Sequence, residues 1–289
     1  MKTKKIIAVI LVLACTLCLA GCGEKTSESG VSVYGVYDFW NYSIGNFTYN
    51  AEKVSTVEIN WVGGKIDIVP SESGTLSVAE NSEALDEDEQ MRYRINGGKL
   101  TIHYCKAAYT KAISSDSKHL RVEVPEGVNV NINNVSADVN VADIMLGKVK
   151  ITNVSGDIRF ASLACNELKI EVVSGKVTAN EIISGKFSVN GVSGTVDIAK
   201  IAASEIDIDT VSGKTTLVLA KKCDVDVSGV SGSVNITLPT EAGATVEFST
   251  VSGDFVSLLP HKTSKNTYTF GDGEMSVDVE TVSGNLYIN

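Results

Sequence analysis

The chain has 289 residues, with 35 acidic against 25 basic side chains and a formal net charge of −10. Nucleic-acid binding needs clustered Lys and Arg to displace counterions, and the sequence has no such stripe, so no nucleic-acid partner is expected. Of the six cysteines, the three beyond residue 22 (Cys105, Cys165 and Cys223) are odd in number, far apart and form no C-x-x-C pair, which argues against a zinc ribbon, a dithiol redox centre and a disulfide scaffold.

The first 21 residues read as an export signal. Lys2, Lys4 and Lys5 precede the apolar run "IIAVILVLACTLCLA", which at 15 residues is shorter than the roughly 20 a membrane helix needs. The junction "LAGC", Leu19 to Cys22, resembles the bacterial lipoprotein lipobox. That resemblance implies cleavage before Cys22, lipidation of its thiol, and anchorage on the extracytoplasmic face of the cell membrane. Loss of the three lysines takes the formal charge from −10 to −13. Cys15 and Cys18 leave with the leader, and Cys105, Cys165 and Cys223 are expected to be buried thiols.

Residues 22–33 form the lipidated cysteine and a polar, flexible linker containing "GEKTSESG". Residues 34–50 place seven aromatics in a short stretch and are expected to cap the open end of the β-structure that follows. Residues 51–289 read as one domain. Within it, "AENSEALDEDEQ" (79–90) is expected to be an acidic, solvated loop.

From Ser136 onward a short motif returns. "NVSGDI", "VVSGKV", "GVSGTV", "TVSGKT" and "GVSGSV" put serines at 155, 174, 193, 212 and 231, each 19 residues after the last, and "VSAD" carries Ser136 one step earlier. The steps then lengthen, to Ser252 and Ser283, which predicts loops inserted between coils. A fixed period near 20 is the mark of a solenoid. Three and five residues after each serine the columns are apolar (Ile158, Val177, Val196; Phe160, Ala179, Ile198), as they are thirteen and fifteen after (Leu168, Phe187, Ile206; Ile170, Val189, Ile208). Polar residues alternate with them, the period of half-buried strands. The expected fold is an all-β, single-domain β-solenoid with about 19 residues and two short strands per coil, most regular over 135–240. No unit of this size buries enough apolar surface to stand alone, so stability must come from stacking. In this reading glycine takes a left-handed corner, serine bonds nearby backbone, and valine fills the corner's inside. A catalytic serine needs a unique base beside it and these in-phase Ser-Gly copies have none, so Ser174 and Lys176 or Ser212 and Lys214 are not read as a nucleophile and its base.

"VSTVEINWVGGKIDIV" (54–69), "GGKLTIHY" (97–104), "LRVEVPEGVNVNINNVSADV" (120–139) and the Val-Ser-Gly coils together resemble DUF4097, a family of presumed bacterial envelope adhesins. The resemblance covers about 47–289 and implies a β-strand-repeat fold. It supplies no catalytic residues.

His103, His119 and His261 share no metal-ligand spacing, and calcium β-roll, P-loop, Rossmann and zincin patterns are absent, so no cofactor, metal or catalytic residue is assigned. The outward positions Glu205, Asp207, Asp209, Asp224 and Asp226 should form an acidic ladder on two adjacent coils, either solvated or able to hold a cation weakly. The functional expectation is a non-enzymatic, lipid-anchored envelope or surface protein. It would present a long β-face, with outward residues such as Thr178, Thr195, Thr216, Asn235 and Thr237, to a protein or a cell-wall polysaccharide. An accessory role in envelope-stress signalling is the alternative. A solenoid glycan-active enzyme is disfavoured by the missing acid/base pair.

Overall fold

The computed structural model describes residues 37–81, 85–109, 113 and 118–289. Cys22, the leader and the linker lie outside the described residues. The described residues are all-β, and the only helical turns among them are the short 3-10 segments Phe39–Asn41 and Ala51–Lys53.

The alternating columns build two parallel ladders. In one, Val139 pairs with Ile158, Ile158 with Val177, Val177 with Val196, Val196 with Thr215 and Thr215 with Val234. In the other, Ile151 pairs with Ile170, then Val189, Ile208 and Val227. Each step is one 19-residue period, so every apolar column becomes a continuous internal stack, and these residues are buried. The two strands per coil are joined by a third, shorter run. Ile144 stacks on Leu163, then on Ile182 and Ile201, all buried. This is why Ile158–Val172 and Lys176–Ser193 are long strands that bend rather than two separate ones.

The corner differs from its sequence reading. The valines are not inside it: Val135 is 46% exposed and Val251 84% exposed. The inside belongs to the residue two before the serine. There Asn134 and Asn153 are buried, and Asn134 Nδ2 donates to Asn153 Oδ1 at 2.7 Å and to Ala137 O at 2.6 Å. The serines do not bond locally either. Ser193 Oγ donates to Val173 O one coil back, as Ser174 Oγ does to Val154 O and Ser155 Oγ to Val135 O. Gly156, Gly175, Gly194, Gly213 and Gly232 do have positive φ, from +99° to +150°. A second constraint is shared more widely. A Cβ on any of them would collide with the carbonyl group of the residue stacked beneath, and the same holds for Gly253 and Gly284, for which no positive φ is required. The column is glycine because backbone approaches backbone there.

The order of coils in space is not their order in sequence. Thr56–Trp61 lies between Lys99–His103 and Asn129–Asn134, with Val57 paired to both Leu100 and Val130. Lys65–Pro70 lies likewise between His119–Val124 and Asp138–Val141. At the other end Val277 pairs with both Val225 and Val246, and Leu286 with both Val234 and Phe255. The last coil is therefore inserted beneath the one that precedes it. The longer serine spacings do carry inserted loops, as expected, and they also mark this exchange of order.

Antiparallel strands cover the N-terminal end. Phe47–Asn50 pairs with Thr75–Asn81, which pairs with His119–Val124, and Ser43–Ile44 pairs with Arg92–Asn96, which pairs with Lys99–His103. Pairing of this kind occupies edges that would otherwise be open. Aromatic packing fixes the segment: Phe47 stacks on Tyr93 and Tyr37 on His103, with ring centroids 3.7 and 3.8 Å apart.

The acidic stretch 79–90 is not wholly solvated. Glu80 lies in a strand with its carboxylate buried, Oε1 standing 2.6 Å from the fully buried Lys118 Nζ. Lys118 Nζ also donates to the carbonyl oxygens of Glu89 and Tyr104, and it lies over the rings of Trp61 and Tyr104. A charged pair survives there because both ions have further partners.

Candidate functional site

The alternation that buries Ile158 and Phe160 turns Arg159 outward, and the exact coil register repeats that position along the whole stack. Arg121, Asp67, Asn140, Arg159, Thr178, Asp197, Thr216, Asn235 and Tyr287 therefore follow one another in spatial order. Two residues later the strand bends, and there Ala142, Ala161 and Ala199, interrupted by Asn180, present small side chains. Between the two columns lies an open groove of about 610 Å³, running from Asp67 to Asp197. Parallel in-register coils rise about 4.8 Å each, so it is roughly 19 Å long.

Its polar side chains are held in place. Asp67 accepts from Asn140 Nδ2 at 2.9 Å and lies 2.6 Å from His119 Nε2 and 3.1 Å from Lys65 Nζ. Burial pushes the Asp67 carboxyl up, but the hydrogen bonds from Asn140, His119 and Lys65 outweigh it, and the carboxyl titrates below its ordinary value. Arg159 is clamped by Asp138 Oδ2 at 2.9 Å and Asp157 Oδ2 at 2.7 Å. Its charge is thereby locally neutralised while its fork stays oriented. Asp67 and Asp197, the carboxylates on the groove floor, stand four coils apart. That is roughly twice the widest separation used by paired carboxylates in glycoside hydrolysis, about 9.5 Å.

Of the outward residues read from the sequence, Thr178, Thr216 and Asn235 share this column, whereas Thr195 and Thr237 stand on neighbouring ones. The groove itself was missed. Its signal was the alanine six residues after Ser136, Ser155 and Ser193, which is legible only once the bend at that position is known.

The acidic ladder forms with the expected register, Glu205 beside Asp224 and Asp207 beside Asp226. The inserted last coil extends it, because Asp226 pairs with Asp278 and Asp278 with Glu247. A flat ladder does not make its carboxylates converge: among the described residues no three or more His, Cys, Asp or Glu side chains are placed to hold a metal ion.

Cys105 and Cys223 are buried and Cys165 is half-buried, all as free thiols. Burial pushes the Cys105 and Cys165 thiols up to about 12 and that of Cys223 to about 11, which suppresses the nucleophilic thiolate. His103 is pushed down to about 4 by burial. His261 is exposed and bonds Leu259 O, so the three histidines occupy three separate environments.

Solved structures share this architecture. A candidate adhesin from Bacteroides fragilis NCTC 9343 matches with TM-score 0.52 and 12% identity, covering 86% of this chain and 97% of that one. Candidate adhesins from Parabacteroides distasonis ATCC 8503 and Parabacteroides merdae ATCC 43184 both match with TM-score 0.50, at 14% and 15% identity. They cover 86% and 85% of this chain and 97% and 96% of theirs. At such identities the likeness is one of fold. No curated protein matches the chain. The profile of one family, Toastrack DUF4097, matches residues 54–289, which takes in both ladders, the exchanged coils and the groove, and the chain belongs to that family.

Proposed function

We propose that the protein is a non-enzymatic binding scaffold of the cell envelope, tethered by a lipid on Cys22 and presenting its outer β-face to a partner. The observation that carries this reading is the groove with its continuous column of oriented polar side chains. It offers many weak contacts over a long track rather than a few groups converging on one reacting atom. The thiols are suppressed, the serines are engaged between coils, and the groove carboxylates stand too far apart for joint acid/base work. The adhesin descriptions of the similar structures are in keeping with such a role. A lipid on Cys22 followed by a polar linker would hold the stack off the bilayer with the groove accessible.

The test has two arms. The full chain expressed in a bacterial host should label with fatty acid and partition into detergent, and Cys22→Ser should lose both properties. Purified full chain should sediment with isolated cell envelopes. Equal labelling of the serine variant would refute the anchor, and no sedimentation would refute the binding role.

A further inference from the structure

Resting on that reading, we propose that the groove seats an extended β-1,4-linked polysaccharide of low charge, lying along the stacking axis with one disaccharide for every two coils.

Spacing is the first argument. The groove floor repeats donors and acceptors at every coil, about 4.8 Å apart, so two coils advance about 9.6 Å. That is close to the advance of an extended β-1,4-linked disaccharide, whose alternate sugars turn the same edge toward the floor. An extended peptide repeats its side chains every ~6.8 Å, out of step with the coils. It also gains affinity by pairing with an open sheet edge. The strands under the groove are paired on both sides, so their backbone is engaged and only side chains are offered.

Charge is the second. Asp67 is matched by Lys65, Arg159 by Asp138 and Asp157, and Asp197 lies 3.6 Å from Lys176. The floor is polar but nearly self-neutralised, which suits hydroxyl and amide groups and gives little attraction to a polyanion. Ala142, Ala161 and Ala199 leave the width for a pyranose ring beside it.

The third is that the polar column runs on past the groove. Beyond Asp197 the same column borders, on its other flank, a second recess of about 420 Å³, lined by Gly213, Lys214, Gly232, Ser233, Asn235 and Tyr287. There Asn235 Nδ2 is shielded from solvent and has no acceptor among the described residues, an arrangement whose cost a ligand oxygen would relieve. The Tyr287 hydroxyl is fixed by Asn285 Nδ2 at 3.1 Å, leaving its half-buried ring as a platform for the apolar face of a sugar. The two recesses flank the same column, the groove on the side of the alanines and the second recess on the side of Lys214 and Ser233.

The test uses the full chain in detergent, with β-1,4-linked N-acetylglucosamine hexamer and cellohexaose as probes and an α-1,6-linked glucose hexamer as comparison. Titration calorimetry should show at least one β-1,4 hexamer binding about tenfold tighter than its trimer, roughly 1.4 kcal/mol, and the α-1,6 hexamer should not bind. Ala161→Trp, at an exposed position, should fill the groove and weaken binding at least about tenfold at unchanged melting temperature. Asp226→Asn, on the acidic ladder, should leave binding intact. Absence of binding by both β-1,4 hexamers, or undiminished binding by Ala161→Trp, would overturn the assignment. If the chain still sediments with envelopes in that event, the scaffold reading stands and only the ligand is wrong. Loss of a specific protein partner from Ala161→Trp, with no hexamer binding, would assign the groove to a protein instead.

Discussion

The backbone N–H of Ser283 donates to Val230 O at 2.8 Å, while Ser252, between them in sequence, donates to Val282 O from one coil further out. The C-terminal coil is thus internal to the stack. Its Met275, Val277, Val279, Leu286 and Ile288 are all buried. Each such side chain contributes about 1.5–3 kcal/mol by burial. Ending the chain at Asp272 should therefore unseat two coils, not one. Hydrogen exchange should show protection lost across Ala244–Ser249 as well as at the exposed edge Asp224–Ser231. Retained protection of Ala244–Ser249 would mean that the outer coil can dock without the inserted one.

Gly194→Ala tests the glycine column. A Cβ there meets the Gly175 carbonyl and must also adopt a φ of +150°. The cost should reach or exceed the upper end of the ~0.5–3 kcal/mol usual for point changes, read from denaturant melts. A cost below 1 kcal/mol (about the middle of that range) would show that the coils can separate locally.

Ser193→Ala should be much milder. The Ser193 N–H already donates to Val173 O at 2.9 Å, and Oγ reaches the same oxygen at 3.3 Å. Removing the hydroxyl leaves no orphaned acceptor, so the expected loss is about 0.5 kcal/mol. A loss comparable with that of Gly194→Ala would overturn the distinction between a close-approach residue and a supplementary bond.

The Lys118–Glu80 pair should show strong coupling. Lys118→Met strands a buried carboxylate and should cost about 3–5 kcal/mol, whereas adding Glu80→Gln should recover a large part of it. A double-mutant cycle measures this directly. Additive losses would show that Lys118 is held by the aromatic rings and carbonyls rather than by Glu80.

Protonation of His103 should destabilise the N-terminal end. Its folded value of about 4 lies below the ordinary 6.5, so between these pH values the unfolded chain binds more protons and stability falls as pH falls. The contribution is complete above pH 6.5 and lost as pH approaches 4, amounting to at most about 3 kcal/mol. His103→Phe should flatten melting temperature across that window. An unchanged slope would assign the pH dependence to other groups.

The sequence by itself determined the coil. Apolar columns at fixed offsets from each serine name the buried residues, because a parallel in-register stack makes every coil its neighbour's template. The acidic ladder from Glu205 to Asp226 follows from the same arithmetic. What the tertiary structure decided lies where periodicity gives no instruction. Val277 could have stacked on Val246 in sequence order. It enters between Val225 and Val246 instead, so that Asp278 rather than Glu247 stands next to Asp226 in the ladder. Lys118 and Glu80 look like surface charges in a polar stretch, since nothing local reveals that two distant strands close over them. The alanines at 142, 161 and 199 are mute until the bend beside them turns a small side chain into the wall of a groove. Local alternation fixes which way a side chain points, while the order of coils and the shape between columns depend on contacts made far along the chain.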